Sequence, residues 1–252
     1  MNVPAALRIE DLSIQFGGHV AVNNVSCAFT PGELTVVVGP NGAGKTTLFN
    51  LISGQLSATS GNIFLGDTAF GRMSPSARAK HGIGRAFQLT NLFPRLSVLE
   101  NVRLAVQAQS GAGMRMWVRA GSLRHLEEEA RAYLAQIRLT AVADLPVSAL
   151  SHGDQRKLEV ALLLAMKPDV FMFDEPTAGM SVDEAPAILE LIEDIKKDKS
   201  KIVLLVEHKM DVVRALADRI VVLHNGELVA DGTPADVIES PIVREIYLGG
   251  GS

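Results

Sequence analysis

Cysteine is nearly absent: Cys27 is the only one in 252 residues, so no internal disulfide can form. A lone thiol in an apolar segment reads as a core residue in a reducing compartment. Long apolar runs are missing too. No stretch approaches the roughly 18 residues of a membrane-spanning helix, and Met1–Glu10 lacks the basic-then-apolar order of an export leader. The expectation is a soluble, intracellular chain, although a mean hydropathy of +0.20 is high enough to expect a docking surface. Neither sign of charge dominates. With 24 Lys and Arg against 28 Asp and Glu, the net charge of −4 supplies no broad cationic field, which argues against nucleic acid as a partner. Internal repeats and low-complexity tracts are absent as well.

What the chain does have is apolar residues, 47% of the total, enough for one large α/β domain or a core with a smaller subdomain. From Leu7 to Gly66 the pattern predicts strands and turns: Leu7–Phe16, a turn at Gly17-Gly18, Val20–Phe29, a turn at Pro31-Gly32, and Leu34–Val38. A helix over Thr47–Ser53 follows, which Gly54 can end. From about Leu89 to Ser148 the period turns helical, with Val98–Gln107 and Leu123–Ile137 joined by the glycine-rich Ser110–Gly121. From Gln155 onward the pattern alternates. A helix to Met166, strand 170–173, a helix to about Lys197, strand Ile202–Val206, helix Met210–Ala217 and strand Ile220–Leu223 together predict a parallel sheet. Asn225-Gly226 reads as a hairpin turn, and Thr233-Pro234 as a helix cap with proline at the first helical position.

Two motifs carry chemistry. Gly39-Pro40-Asn41-Gly42-Ala43-Gly44-Lys45-Thr46-Thr47 follows the apolar Leu34–Val38 and precedes a helical stretch, the strand–loop–helix setting of a phosphate-binding loop. Glycines at 39, 42 and 44 let the backbone turn successive N–H groups inward, where with the helix dipole they cradle a polyphosphate. Lys45 adds a mobile charge for the β- and γ-phosphates, and Thr46 a hydroxyl for Mg²⁺. The competing reading is a glycine-rich turn with an incidental lysine. Downstream, the apolar run Val170–Phe173 delivers Asp174 and Glu175 at the carboxyl end of a buried strand, where open α/β sheets bind ligands. Asp174 suits a water on Mg²⁺, and Glu175 suits orienting and deprotonating the water that attacks the γ-phosphate. The competing reading is a solvated helix start at Asp174-Glu175-Pro176-Thr177.

Between these motifs, Ser151 is a good helix N-cap with Asp154 three residues on as a partial capping box, and the helix it opens has a terminus free to face an anion. Taken alone, that is a well-capped helix. In sequence, Leu150-Ser151-His152-Gly153-Asp154-Gln155 resembles the signature motif of ATP-binding cassette (ABC) ATPases, and the resemblance covers nearly the whole chain. It implies a P-loop NTPase (RecA-like) core with an N-terminal antiparallel β-subdomain, residues 1–88 and 160–252, and an inserted α-helical subdomain, residues 89–159. It also implies ATP as the nucleotide, held by Phe16 against adenine, by residues 39–47 and by Ser151 and Gly153. Mg²⁺ would then sit at Thr46, Gln88 and Asp174, with Glu175, His208 and Lys45 as the catalytic groups. Read singly, Phe16 is a core residue, Gln88 a polar loop residue and His208 a strand-end histidine.

The resemblance further implies a second ATPase subunit, homo- or heterodimeric, with each ATP between one subunit's phosphate loop and the other's signature helix. Multi-spanning permease subunits, an extracytoplasmic solute-binding protein and a place on the cytoplasmic face of the cell membrane follow with it. Departures are His152 for the commoner glycine, Asp154 for the commoner glutamine, and Ala178-Gly179-Met180-Ser181 in the loop that crosses the dimer interface. Within the family, Gly84–Gln88, Thr177–Glu184, Val206–Met210 and the tail Ile246–Gly249 look like the ATPases of branched-chain amino acid importers. The lipopolysaccharide-export ATPase is similar in the tail and competes with that reading. Urea or amide import and a non-transport ABC role compete with it too. One cassette and no sustained heptads argue against the ribosomal and DNA-repair members. Ser110–Gly121, with Trp117, is read as a surface excursion, with partner docking as the other possibility.

Overall fold

In the opening strand, β1 (Leu7–Phe16), Leu7 and Ile9 face inward and so do Leu12 and Ile14, so the alternation slips by one residue. Asp11 absorbs the slip with a φ of 49° and a register shift against the neighbouring strand. The computed structural model that shows this describes residues 5–86, 92–110 and 120–248. The chain divides into two compact units, one of residues 1–83, 169–175 and 193–252, the other of residues 84–168 and 176–192.

In the first unit β1 pairs antiparallel with β2 (His19–Phe29) and β4 (Ser60–Leu65), and β5 (Thr68–Ala69) completes a sheet of order β2-β1-β4-β5. The second sheet is built on β3 (Leu34–Val38), β7 (Val170–Asp174) and β8 (Ile202–Val206), buried at every residue. Strands covered on both faces read as continuous apolar runs, which is why these three stand out in the sequence. With β6 (Ile83–Ala86), which leads the chain out of the unit, β9 (Arg219–His224) and β10 (Glu227–Gly232), the order is β10-β9-β3-β8-β7-β6. β3 is parallel to β8 and β9, and β7 to β8, as the alternation predicts. β9 and β10 form the expected hairpin, with Asn225 and Gly226 both at positive φ. Helices α7 (Met210–Leu216), α8 (Pro234–Glu239) and α9 (Pro241–Leu248) complete this unit, and the Thr233 hydroxyl caps α8 as predicted.

The second unit is mainly helical. α3 (Val98–Gln109), α4 (Ala120–Gln136) and α5 (His152–Ala165) pack pairwise around Val98, Val102, Leu134, Leu158 and Ala161. Ser97 caps α3, and buried Asn101 holds the Phe93 backbone through both its N–H and its carbonyl. The stretch 176–192 includes the start of α6 (Ala185–Lys196). Residues 111–119 and the end of the tail from Gly249, both singled out above, lie outside the described residues.

Cys27 is half-buried against the core, and burial, reinforced by Asp231 and opposed by Arg219, pushes its thiol up to about 12. The helix after the phosphate loop, α1 (Lys45–Ser53), ends at Gly54 in the left-handed region as predicted. Its remaining carbonyls are met by a residue the pattern does not announce. Arg78, on the short α2 (Pro75–Lys80) and 3% exposed, donates to the carbonyls of Leu51, Ile52, Gly71 and Met73. One guanidinium fork thus closes the C-terminus of α1. Arg78→Ala is expected to cost about 2–3 kcal/mol by orphaning buried carbonyls. Arg78→Lys, a point charge without the fork, should recover only part of it, with urea unfolding midpoints as the measure.

Candidate functional site

The phosphate loop leaves β3 at Val38 and turns into α1 at Lys45, two residues earlier than periodicity predicts, because Gly44 at φ 99° lets the turn close directly onto the helix. Close packing fixes the loop. A Cβ on Gly39 would lie 2.1 Å from the Leu223 carbonyl oxygen, and one on Gly44 2.5 Å from that of Ala21. The Gly226 N–H of the β9–β10 turn donates to the Ala43 carbonyl at 3.1 Å. The loop is therefore held between β2 and that hairpin.

Lys45 is 7% exposed, and its ammonium donates to the carbonyls of Gly39 at 2.7 Å and Pro40 at 2.9 Å. Burial pushes its pKa below the ordinary lysine value, while Glu175 and Asp174 pull it back up. A cavity of about 360 Å³ opens beside it, lined by Phe16, His19, Ala21, residues 41–47 and Glu175. The loop, Phe16, Lys45, Thr46 and Glu175 are thus brought to one place. Phe16 is 48% exposed at this cavity, so the core reading of that ring fails. Sequence reasoning misses His19; its only signal is its place at the start of β2, just across the turn from Phe16.

Asp174 ends β7 and is 7% exposed. Glu175 follows at φ 49°, a strained region for a residue with a side chain, with its N–H on the Val206 carbonyl at 3.1 Å. That twist turns the chain at the strand end and leaves Glu175 at the cavity. His208, in the connection after β8, places Nδ1 3.8 Å from the Glu175 carboxylate, too long for a hydrogen bond. Glu207 supports it. Its carboxylate, 1% exposed, accepts from the N–H groups of His208 at 2.8 Å and Lys209 at 3.2 Å. An acid immediately after an all-apolar strand is the available signal for Glu207. Gln88 lies outside the described residues.

In the other unit Ser151 caps α5 by accepting from the Asp154 N–H at 3.1 Å, while the Asp154 carboxylate accepts from Lys157. The helix terminus is not free, contrary to expectation. Glu184 lies against Gly153, where a Cβ would come within 2.5 Å of its carboxylate oxygen. Hydrogen bonds from the Ser181 backbone, then the Ser181 hydroxyl, then the Gly153 backbone hold the Glu184 carboxyl below its ordinary pKa.

The sequence profile described as ABC transporter matches residues 22–178. This chain belongs to the ABC transporter family. A second profile, described as branched-chain amino acid ATP-binding cassette transporter, matches residues 227–252. The chain is 36% identical over 248 residues to the high-affinity branched-chain amino acid transport ATP-binding protein LivG of Escherichia coli K12, covering 96% of this chain and 97% of that protein. Identity is 34% to BraF of Pseudomonas aeruginosa, the protein of the same description, over the same shares of both chains. It is 31% to the lipopolysaccharide export system ATP-binding protein LptB of Escherichia coli K12, covering 97% of this chain and 98% of that one. Among solved structures, the ADP conformation of an ABC transporter cassette is similar with a TM-score of 0.82 at 28% identity, over 97% of this chain and 99% of that one. A dimeric ATP-binding cassette bound to ADP and Pi gives a TM-score of 0.75 at 25% identity, over 90% and 98%. The ABC chain is therefore a nucleotide-binding ATPase subunit whose ATP hydrolysis is coupled to transport, on the P-loop fold that its motifs imply.

Packing separates the loop glycines of this ABC subunit. Gly42, at φ 82°, has nothing within 4 Å of a built Cβ, whereas Gly39 meets a backbone oxygen. Gly42→Ala is expected to cost about 1–2 kcal/mol of local backbone strain and leave the fold intact. Gly39→Ala should cost more, because β9 must also move; denaturant midpoints of the two variants, measured side by side, check the order.

Proposed function

We propose that this subunit hydrolyses ATP with Mg²⁺ at the loop cavity to drive uptake of branched-chain or other hydrophobic amino acids. The observation that carries the hydrolysis is the meeting of Lys45, Thr46 and Glu175 at one cavity, with Asp174 one residue away on the same strand end. The transport substrate is supported by what LivG and BraF are named for, and by the match over residues 227–252. The 31% identity to LptB favours lipopolysaccharide export as the second reading.

In this reading Lys45 leaves the Gly39 and Pro40 carbonyls for the β- and γ-phosphates, and backbone N–H groups of the loop between Asn41 and Thr47 wrap the same oxygens. Phe16 stacks on adenine with its exposed face, an interaction of roughly 1–3 kcal/mol. Among the described residues no group of three or more His, Cys, Asp or Glu could cage a metal. Thr46 and Asp174 supply one hydroxyl and one carboxylate, a donor set that suits magnesium, which is held by one or two carboxylates together with phosphate oxygens. Thr46 and Asp174 would hold it, with Gln88 as the third donor; when bound, it neutralises charge on the phosphate oxygens. Glu175 orients the attacking water and accepts its proton, and His208, steadied by Glu207 through the backbone, hydrogen-bonds the γ-phosphate.

A second cassette completes the site, with its Ser151 and Gly153 facing the first subunit's phosphate; the similar cassette solved as a dimer with ADP and Pi supports the pairing of two cassettes. Permease subunits and an extracytoplasmic solute-binding protein complete the proposed complex on the cytoplasmic face of the membrane. The helical segment 89–159 is the part we assign to coupling with the permeases. Among the described residues no helix is long and apolar enough to cross a membrane, so in this reading the spans come from partners.

Glu175→Gln should lower turnover by about 10²–10⁴-fold while ATP stays bound; phosphate release near the wild-type rate would remove Glu175 from its role. Lys45→Ala should weaken ATP binding by about 10–100-fold through loss of a charged donor, read with a fluorescent nucleotide. Tagged Glu175→Gln protein with ATP, recovered from native membranes, should carry a pair of multi-spanning permeases whose identity separates amino-acid import from lipid export. Recovery of ribosomes or DNA-maintenance proteins instead would overturn transport.

A further inference from the structure

The first unit holds a second cavity, of about 500 Å³, that shares no lining residue with the loop cavity. Its walls come from the end of β3, the start of α7, and α8 and α9, with Val38, Met210, Val237 and Val243 among the apolar groups. Its size falls within the roughly 300–1,000 Å³ range of ligand pockets. Val237 and Val243 are each under 8% exposed, so the apolar wall belongs to the fold, while the cavity opens to solvent on the side of its charged residues. Two cations share the lining. Arg214 and Arg244 are both exposed, and neither makes an ion pair among the described residues. Arg244 Nε makes a long contact to the Ile238 carbonyl, at 3.5 Å.

An apolar cavity beside two guanidiniums that make no ion pair among the described residues is complementary to one class of small molecule. Charge selects the head group, since guanidinium pairs with a carboxylate in a planar, two-pronged geometry. The apolar lining selects the body. We propose that this cavity binds an amphipathic monocarboxylate of the fatty-acid class, its chain among the valines and its carboxylate on Arg214 and Arg244. The cavity is distinct from the loop cavity, with which it shares no lining residue, although Val38 adjoins the phosphate loop and Met210 follows closely on His208.

The test uses the full chain without nucleotide and decanoate as probe, at concentrations below micelle formation, by titration calorimetry. Saturable one-to-one binding is expected, tightening on the order of tenfold for each two methylenes from hexanoate to decanoate. Decanol and decylammonium should each bind at least about tenfold more weakly, and the double variant Arg214→Ala/Arg244→Ala about 10–100-fold more weakly. Both arginines are exposed, so that variant should melt as wild type does. Val237→Phe, which fills the cavity, gives a second readout and should abolish binding. Absence of saturable decanoate binding overturns the proposal, as does binding undiminished in the double arginine variant. Equal affinity for decanol would reduce the site to an apolar void without head-group selection and overturns the carboxylate assignment.

Discussion

Contact between the phosphate loop and the two strands beside it is the constraint on which the rest depends. Gly39 and Gly44 run so close to the Leu223 and Ala21 carbonyls that no side chain fits at either place. Those carbonyls belong to β9 and β2, so the loop's shape is set jointly by the two sheets. The Asn225-Gly226 hairpin closes the arrangement through the Gly226 N–H to Ala43, and the Gly226 carbonyl in turn accepts from Asn23 of β2. A loop braced this way has its shape fixed by the fold itself, which in the proposed reading is preorganisation for an anion.

Charge distribution follows from the same packing. Lys45 cannot reach water freely, so its ammonium sits on two loop carbonyls, and burial makes its charge costlier than on the surface. The nearby Asp174 and Glu175 offset part of that penalty. A polyphosphate would offset far more, because it brings full negative charge to a site whose lysine is already in place. In the proposed reading, Lys45 is a buried charge whose cost a bound nucleotide would lower.

Legibility in the sequence tracked burial on both faces. Leu34–Val38 and Ile202–Val206 have the bounds their apolar runs predict, since a doubly covered strand admits only apolar residues. β4 was not announced, because only Ile63 and Leu65 of its six residues face the core and Gly61 takes a positive φ. The loop glycines, Lys45 and the Asp174-Glu175 pair were legible because their chemistry needs particular residue types at fixed spacing. Arg78 was not, because the Leu51 and Ile52 carbonyls become its neighbours only in the folded chain, and Glu184 meets Gly153 in the same way. Glu207 acts on the next two N–H groups, and its one signal is an acid straight after an all-apolar strand. A surface-type residue used internally leaves no periodic trace.

Glu207 and Glu184 use the same device at opposite ends of the burial scale. Each gathers backbone N–H groups at a turn: Glu207 those of His208 and Lys209, Glu184 those of Ser181 and Gly153. At 1% exposure the Glu207 carboxylate cannot give up its donors without stranding a buried charge, so it fixes the backbone that carries His208. Glu184 is partly exposed, so water can take over its contacts to Ser181 and Gly153. The same carboxylate-to-amide contact is therefore costly to break in one unit and open to water in the other, and solvent access makes the difference.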